Sequence, residues 1–187
     1  MTPQPWEQLT TLSNQFTGQD IEIGENVTIH PSAVIEGPVK IGDNCVIGVG
    51  AYVRPYTIMG KNCVIGHASE VKHSILGDHV VLPHFNYVGD SILGDYVHLG
   101  GGAMLANFKS DGSTIKVTVG DKKVDTGLKK FGAVLGNHVE IGGGAILNPG
   151  TIVGEHTTIY PGACIRGSIP ANSIVKVRTE QEIVPKQ

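Results

Sequence analysis

An aliphatic residue or Met opens one six-residue unit after another along most of this chain. The openings run in strict register from Ile23 to Val71, and one residue is dropped after Val71 and another after Val88. After an interruption the same pattern resumes at Leu135. A helix would need apolar residues three and four apart, and a surface strand would need strict alternation. Period six fits neither, so the pattern predicts a solenoid of short strands with a corner in every hexad.

The opening residue and the fifth residue of each hexad should point into the solenoid, and Gly is the commonest second residue. Gly supplies the permissive backbone that a tight corner needs. Three hexads form a coil of 17 or 18 residues, and successive coils should stack about 4.8 Å apart. The hexads therefore predict an all-β fold, a parallel β-helix of about seven coils over residues 21–172.

Three segments fall outside the hexads. Residues 1–20 carry Trp6 and Leu9 at helical spacing and are predicted to form a helical connector or cap. Residues 107–130 should leave the solenoid as one extruded loop, with a hairpin around Gly120. Residues 173–187 form a polar tail. Because an open solenoid end exposes unpaired strand edges, the helix and the tail are candidate caps.

The coil length also predicts which side chains stack above one another. Arg54 and Lys72 are 18 residues apart, so they should stack, with Gly89 leaving room above them. The residues expected to converge on this edge are Tyr52, Arg54, Glu70, Lys72, Tyr87 and Asn107. Two neighbouring cations repel each other, and a bound phosphate would relieve that repulsion. The alternative is that both are ordinary solvated side chains.

His84 is the candidate for proton transfer, with His67 predicted directly beneath it and His73 and His79 nearby. An imidazole suits proton transfer at neutral pH, and it also suits metals. An isolated surface histidine usually does neither, so position alone leaves the role of His84 open.

Composition narrows the setting of this chemistry. The net charge of −3 predicts no nucleic-acid partner, and no apolar run reaches membrane-spanning length. The first residues have neither the basic nor the apolar part of a signal peptide, so we expect a cytoplasmic protein.

Five short segments stand in order between residues 40 and 170: Arg54–Thr57 (RPYT), Glu70–Lys72 (EVK), Pro83–Asp90 (PHFNYVGD), Gly100–Gly102 (GGG) and Ala106–Phe108 (ANF). This combination resembles the acetyltransferase domain of the bifunctional UDP-N-acetylglucosamine pyrophosphorylase / glucosamine-1-phosphate N-acetyltransferase. The resemblance implies the left-handed sense of the β-helix, an exception to the usual right-handed crossover.

The resemblance implies acetyl transfer from acetyl-CoA to an amino-sugar 1-phosphate, with glucosamine 1-phosphate favoured and galactosamine 1-phosphate or a nucleotide-linked amino sugar left open. It implies that His84 is the general base, oriented by Glu70, and that no metal is needed. The implied acceptor-binding residues are Arg54, Lys72, Tyr87, Asn107, Lys116 and His98. The implied acetyl-CoA contacts are Gly101, Gly143 and Pro161. It also implies a homotrimer with the site between subunits.

The chain departs from this family at several positions. His98 stands where the family usually has Asn, and Lys116 is the nearest candidate for a displaced loop lysine. No nucleotidyltransferase domain fits before Ile21, so we expect acetyl transfer alone, with a separate nucleotidyltransferase as a candidate partner.

Two other functions compete with this one. A metal-dependent hydratase like the γ-type carbonic anhydrases would use zinc held by three histidines. His79 and His84 have a suitable spacing, but Asp43 stands where the third histidine would be. The other alternative is a non-catalytic trimeric β-helix that scaffolds or regulates a nucleotidyltransferase.

Overall fold

The computed structural model describes residues 4–178, 180 and 182–186. Within them the chain winds through three parallel sheets in turn, two of eight strands and one of seven. We call them sheet 1, sheet 2 and sheet 3 in the order in which the chain enters them. Neighbouring strands of a sheet come from successive coils, as in the pairing of Val53 with Val71. The predicted parallel β-helix is confirmed.

Sheet 1 contains Ile21–Ile23, Val39–Ile41, Thr57–Met59, Ile75–Leu76, Ile92–Leu93, Ala133–Leu135, Thr151–Val153 and Ser168–Ile169. Sheet 2 contains Thr28–Ile29, Val46–Ile47, Val64–His67, Val81–His84, His98–Leu99, Glu140–Ile141, Thr158–Ile159 and Ile174–Val175. Sheet 3 contains Val34–Ile35, Tyr52–Val53, Glu70–Lys72, Tyr87–Gly89, Met104–Leu105, Ile146–Leu147 and Cys164–Ile165.

The solenoid is longer than the seven coils predicted from the hexads, because two sheets have eight strands. Val153 pairs with Ile169 and Ile159 pairs with Val175. Both pairs are only 16 residues apart, so this last coil is short and its hexads lose register. The strand Ile174–Val175 also lies beyond residue 172, where we expected the tail to begin.

The core is a column of small and aliphatic side chains along the axis. In the inner coils the opening residues of the hexads, such as Val53, Val71 and Val88, are fully buried, and so are fifth residues such as Cys45 and Ala51, whereas Ile23 in the first coil is exposed. Burying an aliphatic side chain of this size contributes about 1.5–3 kcal/mol. The repeating core therefore stabilises every coil and fixes which side chains face outward.

The corners between sheets 1 and 2 carry a column of residues with left-handed backbone angles. The column runs Asn26, Asn44, Asn62, His79, Tyr96, His138, His156 and Asn172, with φ between 54° and 59°. Asn is common here because its short polar side chain tolerates this conformation. The rings of His79, Tyr96, His138 and His156 stack with centroids 4.5, 4.8 and 4.8 Å apart. The corner between sheets 1 and 2 is thus lined by a stack of planar side chains.

The outer face of sheet 1 is covered by the segments that lie outside the hexads. The helix Pro5–Thr10 and the 3₁₀ turn Leu12–Gln15 pack with the extruded loop, which forms the predicted hairpin from strands Lys116–Val119 and Lys122–Asp125. Buried residues of this second core are Trp6, Leu9, Leu12, Ile115, Val117 and Phe131. The prediction that the helix caps an end of the solenoid is wrong, because it lies on a face.

No helix in the described part of the chain is long and apolar enough to cross a membrane.

Candidate active site

The strand pairing of sheet 3 stacks the predicted site residues at the corner between sheets 3 and 1. Tyr52 pairs with Glu70, and Glu70 pairs with Tyr87 on the next coil. Lys72 pairs with Gly89 one column further along. The coil lengths of 17 and 18 residues are the cause, since they place the corner positions of each coil directly above those of the last.

Arg54 is held by two neighbours on this face. Its Nη1 donates to Glu70 Oε1 at 2.8 Å, and its Cζ lies 5.5 Å from the centre of the Tyr52 ring. The hydrogen bond to Glu70 raises the pKa of Arg54, so the guanidinium stays charged. Its Nε is buried and has no hydrogen-bond partner within the described residues. A buried donor without a partner costs free energy, and an acceptor on a ligand would satisfy it.

Asp90 connects the other residues of the corner. Its Oδ1 accepts a hydrogen bond from His73 Nδ1 at 2.8 Å, and its Oδ2 lies 3.5 Å from Lys72 Nζ and accepts from Asn107 Nδ2. Burial acts to raise the pKa of Asp90, but His73, Asn107 and Lys72 together outweigh burial and hold this pKa below its ordinary value. Asp90 is therefore an ionised carboxylate that positions three polar neighbours.

Gly89 lets Tyr87 and Asn107 approach the corner closely. A Cβ at residue 89 would lie 2.5 Å from Tyr87 Oη and 2.6 Å from Asn107 Nδ2, so only Gly fits without a shift. Burial raises the pKa of Tyr87, as do the charges of Glu70 and Asp90. Its hydroxyl therefore remains a hydrogen-bond donor at neutral pH.

These residues surround a small pocket of about 260 Å³. It is lined by Arg54, Pro55, Tyr56, Lys72, His73 and Asp90. Asp90, His73 and Tyr56 were not predicted as site residues. All three have left-handed backbone angles, with φ of 49°, 44° and 61°. Such angles are uncommon outside Gly and Asn, but they cannot be read from the sequence.

His84 lies at the opposite edge of sheet 3, at the corner with sheet 2. It stacks on His67 as predicted and is exposed. Gly101 lies on the next coil, where a Cβ would stand 3.8 Å from His84 Cβ. Glu70 is engaged by Arg54, and in the described part of the chain no hydrogen bond joins it to His84. Within the described part of a single chain, no direct contact between Glu70 and His84 supports the orienting role that was predicted for Glu70.

A second pocket, of about 340 Å³, lies beside this corner on the face of sheet 2. Gly143, Pro161 and His98 all line it, together with aliphatic residues such as Ile141. His98 Nδ1 is 2.8 Å from Glu140 Oε2. The structure therefore brings two of the three predicted acetyl-CoA contacts together with His98, next to Gly101 and His84.

Lys116 lies away from the other predicted acceptor residues. It stands on the hairpin and lines a pocket of about 380 Å³ with Lys109, Lys123 and Arg166. The structure does not bring it to Arg54 or Lys72 within one chain, because the hairpin folds over sheet 1 toward the last coils, where Ser168 donates to the Thr118 carbonyl.

The two histidines considered as zinc ligands do not meet. His79 stacks on Tyr96 at the corner between sheets 1 and 2, and His84 lies at the corner between sheets 2 and 3. Among the described residues, no three or more His, Cys, Asp or Glu side chains are placed to hold a metal ion.

The fold and its corner repeat define a hexapeptide-repeat β-helix, and residues 132–167 match the family described as bacterial transferase hexapeptide. Residues 17–110 and 36–143 match the family described as the GMPPB C-terminal domain. These matches cover more than half of the chain. The chain therefore belongs to the GMPPB C-terminal domain family, and the two family matches support the left-handed β-helix that the resemblance implies.

One curated relative is the bifunctional sugar-1-phosphate nucleotidylyltransferase/acetyltransferase of Sulfurisphaera tokodaii. It is 38% identical over 81 residues, which is 43% of this chain and 20% of that protein. The chain thus spans about a fifth of the length of the relative it matches. The match confirms the resemblance to an acetyltransferase β-helix domain seen in the sequence motifs.

Two solved structures are similar at a low level. Perosamine N-acetyltransferase from Caulobacter crescentus, with CoA and GDP-perosamine, is 21% identical with a TM-score of 0.47, over 82% of this chain and 52% of that one. The acetyltransferase domain of PglB from Neisseria gonorrhoeae, with acetyl coenzyme A, is 23% identical with a TM-score of 0.39, over 78% and 48%. Likenesses this weak do not indicate a shared substrate.

Proposed function

We propose that this chain is an acetyl-CoA-dependent N-acetyltransferase that acts on an amino-sugar 1-phosphate, with glucosamine 1-phosphate as the favoured acceptor. The observation that carries the proposal is the arrangement of sheet 3, which has an anion-type pocket at one edge and an exposed histidine at the other. Gly89 is five positions after His84 in the sequence, so the two residues are at most about 17 Å apart. One small acceptor and one thioester fit across such a face.

The corner pocket is the proposed site of the phosphate. The Arg54 guanidinium has an unused buried Nε, and Lys72 is only 15% exposed, so water screens the charge of Lys72 little. The Tyr87 hydroxyl and the Asn107 amide would hold the sugar beside them. The close packing over Gly89 supports this role, because it fixes both side chains before the ligand arrives.

His84 is the proposed general base. As the acceptor amine attacks the thioester carbonyl carbon, its nitrogen forms a bond to that carbon and passes a proton to the imidazole. The resulting oxyanion needs donors, which the backbone N–H groups of the glycine corners would supply. Collapse of the intermediate breaks the carbon–sulfur bond, and the CoA thiolate takes the proton from the imidazolium. No metal enters these steps.

The apolar pocket of Gly143 and Pro161 is the proposed site of the pantetheine arm, and Gly101 would lie where this arm meets His84. The Lys116 pocket, with four cationic side chains at its walls, would suit the phosphates of a CoA bound by a neighbouring subunit. His98 lies at the apolar pocket, and so we place it nearer the acetyl group than the sugar.

The proposal can be tested by measuring the free thiol that purified protein releases from acetyl-CoA in the presence of glucosamine 1-phosphate. We expect His84→Ala to lower kcat by about 10²–10⁴-fold, since it removes the proton acceptor. His30→Ala is the matched control, because His30 is exposed and follows the first strand of sheet 2, three coils below His84. Equal rates for the wild type and His84→Ala would sink the assignment. The same assay with galactosamine 1-phosphate decides between the two acceptors.

A non-catalytic β-helix that scaffolds a nucleotidyltransferase is the second candidate. It is favoured by the fact that both corner cations already have carboxylate partners, Arg54 with Glu70 and Lys72 with Asp90. A calorimetric titration with acetyl-CoA separates the two functions, since an enzyme must bind this co-substrate. An absence of heat at millimolar acetyl-CoA would favour the scaffold.

A further inference from the structure

Each of the two permanent cations that line the corner pocket is already paired with a carboxylate. Arg54 is 2.8 Å from Glu70, and Lys72 is 3.5 Å from Asp90. The four formal charges of these two pairs cancel, so pairing weakens the attraction of Arg54 and Lys72 for a phosphate dianion, and a further cation would strengthen it. His73, which lines the same pocket, is the one further side chain there that can become a cation.

Charged and aromatic groups surround His73 on its own coil and on both neighbouring coils. Asp90 faces it from the next coil, with the carboxylate 2.8 Å from Nδ1. Tyr56 faces it from the preceding coil, with ring centroids 6.1 Å apart, and Arg54 lies on that same coil. Lys72, the last residue of the strand Glu70–Lys72, comes directly before it in the chain. Phe16 of the N-terminal segment contacts Tyr56 and adds no titratable group.

The second nitrogen of His73 is available to a ligand. Nδ1 is bound to Asp90, whereas Nε2 has no hydrogen-bond partner among the described residues. The side chain is 29% exposed, so a small anion can reach it. An imidazolium donates from both nitrogens, and a neutral ring that donates to Asp90 does not donate from Nε2. Protonation therefore creates the donor that a phosphate oxygen needs.

We propose that His73 is an acceptor-binding residue whose imidazolium bridges Asp90 and a phosphate oxygen, and that the pocket takes up a proton when it binds a dianion. The identity of the acceptor rests on the proposed function, but the anion site rests on the pocket alone. A site with this charge balance selects a terminal phosphate monoester. It disfavours nucleotide-linked sugars, whose esterified phosphates each carry one charge.

Sulfate is the probe of choice, because it stays a dianion throughout the neutral range and so any pH dependence belongs to the protein. We expect its affinity for the wild type to fall about tenfold between pH 6 and pH 8, since binding is linked to proton uptake. His73→Asn is the matched variant. Asn tolerates the left-handed angle at residue 73, keeps an N–H donor toward Asp90 and cannot become charged. Its sulfate affinity should be weak and independent of pH.

A second readout uses the wild type alone. The titration midpoint of the His73 imidazole, followed by NMR, should move to higher pH on addition of sulfate, whereas that of His30 should not move. Absence of sulfate binding, equal pH dependence in both proteins or an unmoved His73 midpoint would each overturn the proposal. The acetyl-transfer assay is independent of these results. If sulfate binds with the expected pH dependence but no acetyl transfer is detected, the proposed enzyme activity is wrong and the anion site stands. If acetyl transfer is detected but sulfate binding does not depend on pH, the enzyme activity stands and the proposed role of His73 is wrong.

Discussion

Asp90 shows what a single residue does at this corner. It is 5% exposed, and its two oxygens serve His73, Asn107 and Lys72. A buried carboxylate is tolerated only when it is paired and hydrogen-bonded. The residue therefore links the stability of the fourth strand of sheet 3 to the geometry of the candidate site.

We expect Asp90→Asn to destabilise the protein by about 2 kcal/mol at pH 7. The amide has one acceptor oxygen instead of two, so His73 or Asn107 loses its partner, and Lys72 loses its counter-charge. Asn accepts the positive φ of 49° at this position, so backbone strain does not contribute. Urea unfolding measures the change, with Asp43→Asn as the control, since Asp43 pairs with Lys61 and is less buried than Asp90.

The difference in stability between the wild type and Asp90→Asn should depend on pH. The pKa of Asp90 is lowered in the folded state, so its stabilising contribution is fully present above the ordinary value of 3.8 and is lost as the pH falls below it. The difference in stability between the wild type and Asp90→Asn should therefore shrink between pH 5 and pH 3. An equal difference at both pH values would contradict the ionised carboxylate.

The sequence predicted the stacking of Arg54, Lys72 and Gly89 but missed the role of Asp90. Stacking follows from coil length, which is a property of the backbone and can be counted. The partner of a carboxylate depends on rotamers and on which cation lies nearest, and Glu70 illustrates this, since it pairs with Arg54 where we expected His84. The coil length therefore predicts which side chains stack above one another. Which of the stacked side chains form hydrogen bonds or ion pairs can be determined only from the structure.

At the scale of elements, the column of residues with left-handed backbone angles between sheets 1 and 2 allows the cost of backbone strain to be measured. Asn62 has φ of 58°, and its side chain lies 3.4 Å from His79 Nε2. Asn62→Ala should cost about 1 kcal/mol more than Asn62→Gly, because a Cβ is strained in the left-handed region and Gly is not. Both variants remove the contact with His79, so the difference in their unfolding free energies isolates the backbone. Equal losses would refute the strain.

The cover of sheet 1 is a second element whose contribution can be measured. Trp6 is 5% exposed, and its ring centroid lies 6.2 Å from that of Phe131 on the far side of the loop. Trp6→Ala should destabilise the protein by about 3 kcal/mol through the cavity it leaves. Gln8→Ala, on the exposed side of the same helix, is the control and should change stability little. A similar small change for Trp6→Ala would show that the helix does not need this anchor.

A second pattern in the sequence, apart from the hexads, indicates that the outer face of sheet 1 is covered. The outward residues of sheet 1 include Ile58, Ile75 and Ile92, which pair with one another on successive coils. The outward residues of sheet 3 at equivalent places are Glu70 and Tyr87. An apolar outward column on one face predicts that something packs there, because water would otherwise meet it. Which segment covers it could not be predicted, since the helix and the loop lie far apart in sequence.

At the scale of the whole molecule, sheets 2 and 3 expose apolar side chains on their outer faces within the described residues. Exposed apolar residues on them include Val46, Met104 and Ile146. Such patches mark interaction surfaces, which is consistent with the homotrimer that the family resemblance implies. Light scattering after size exclusion should give three times the 19.7 kDa of one chain. A mass of one chain at micromolar concentration would rule the trimer out, and with it a site completed by a neighbour.

The placement of the candidate site along sheet 3 has a consequence for how such proteins diverge. Arg54, Lys72, Gly89 and Asn107 lie at or just after the ends of four consecutive strands of sheet 3, with one strand before them and two after. Each coil touches only its neighbours, so terminal coils can be gained or lost in the course of evolution while the inner four keep their spacing. An insertion of one coil between Lys72 and Asn107 would instead move them apart by about 4.8 Å. Related chains that share this chemistry should therefore vary in length at their ends and stay constant in these four turns.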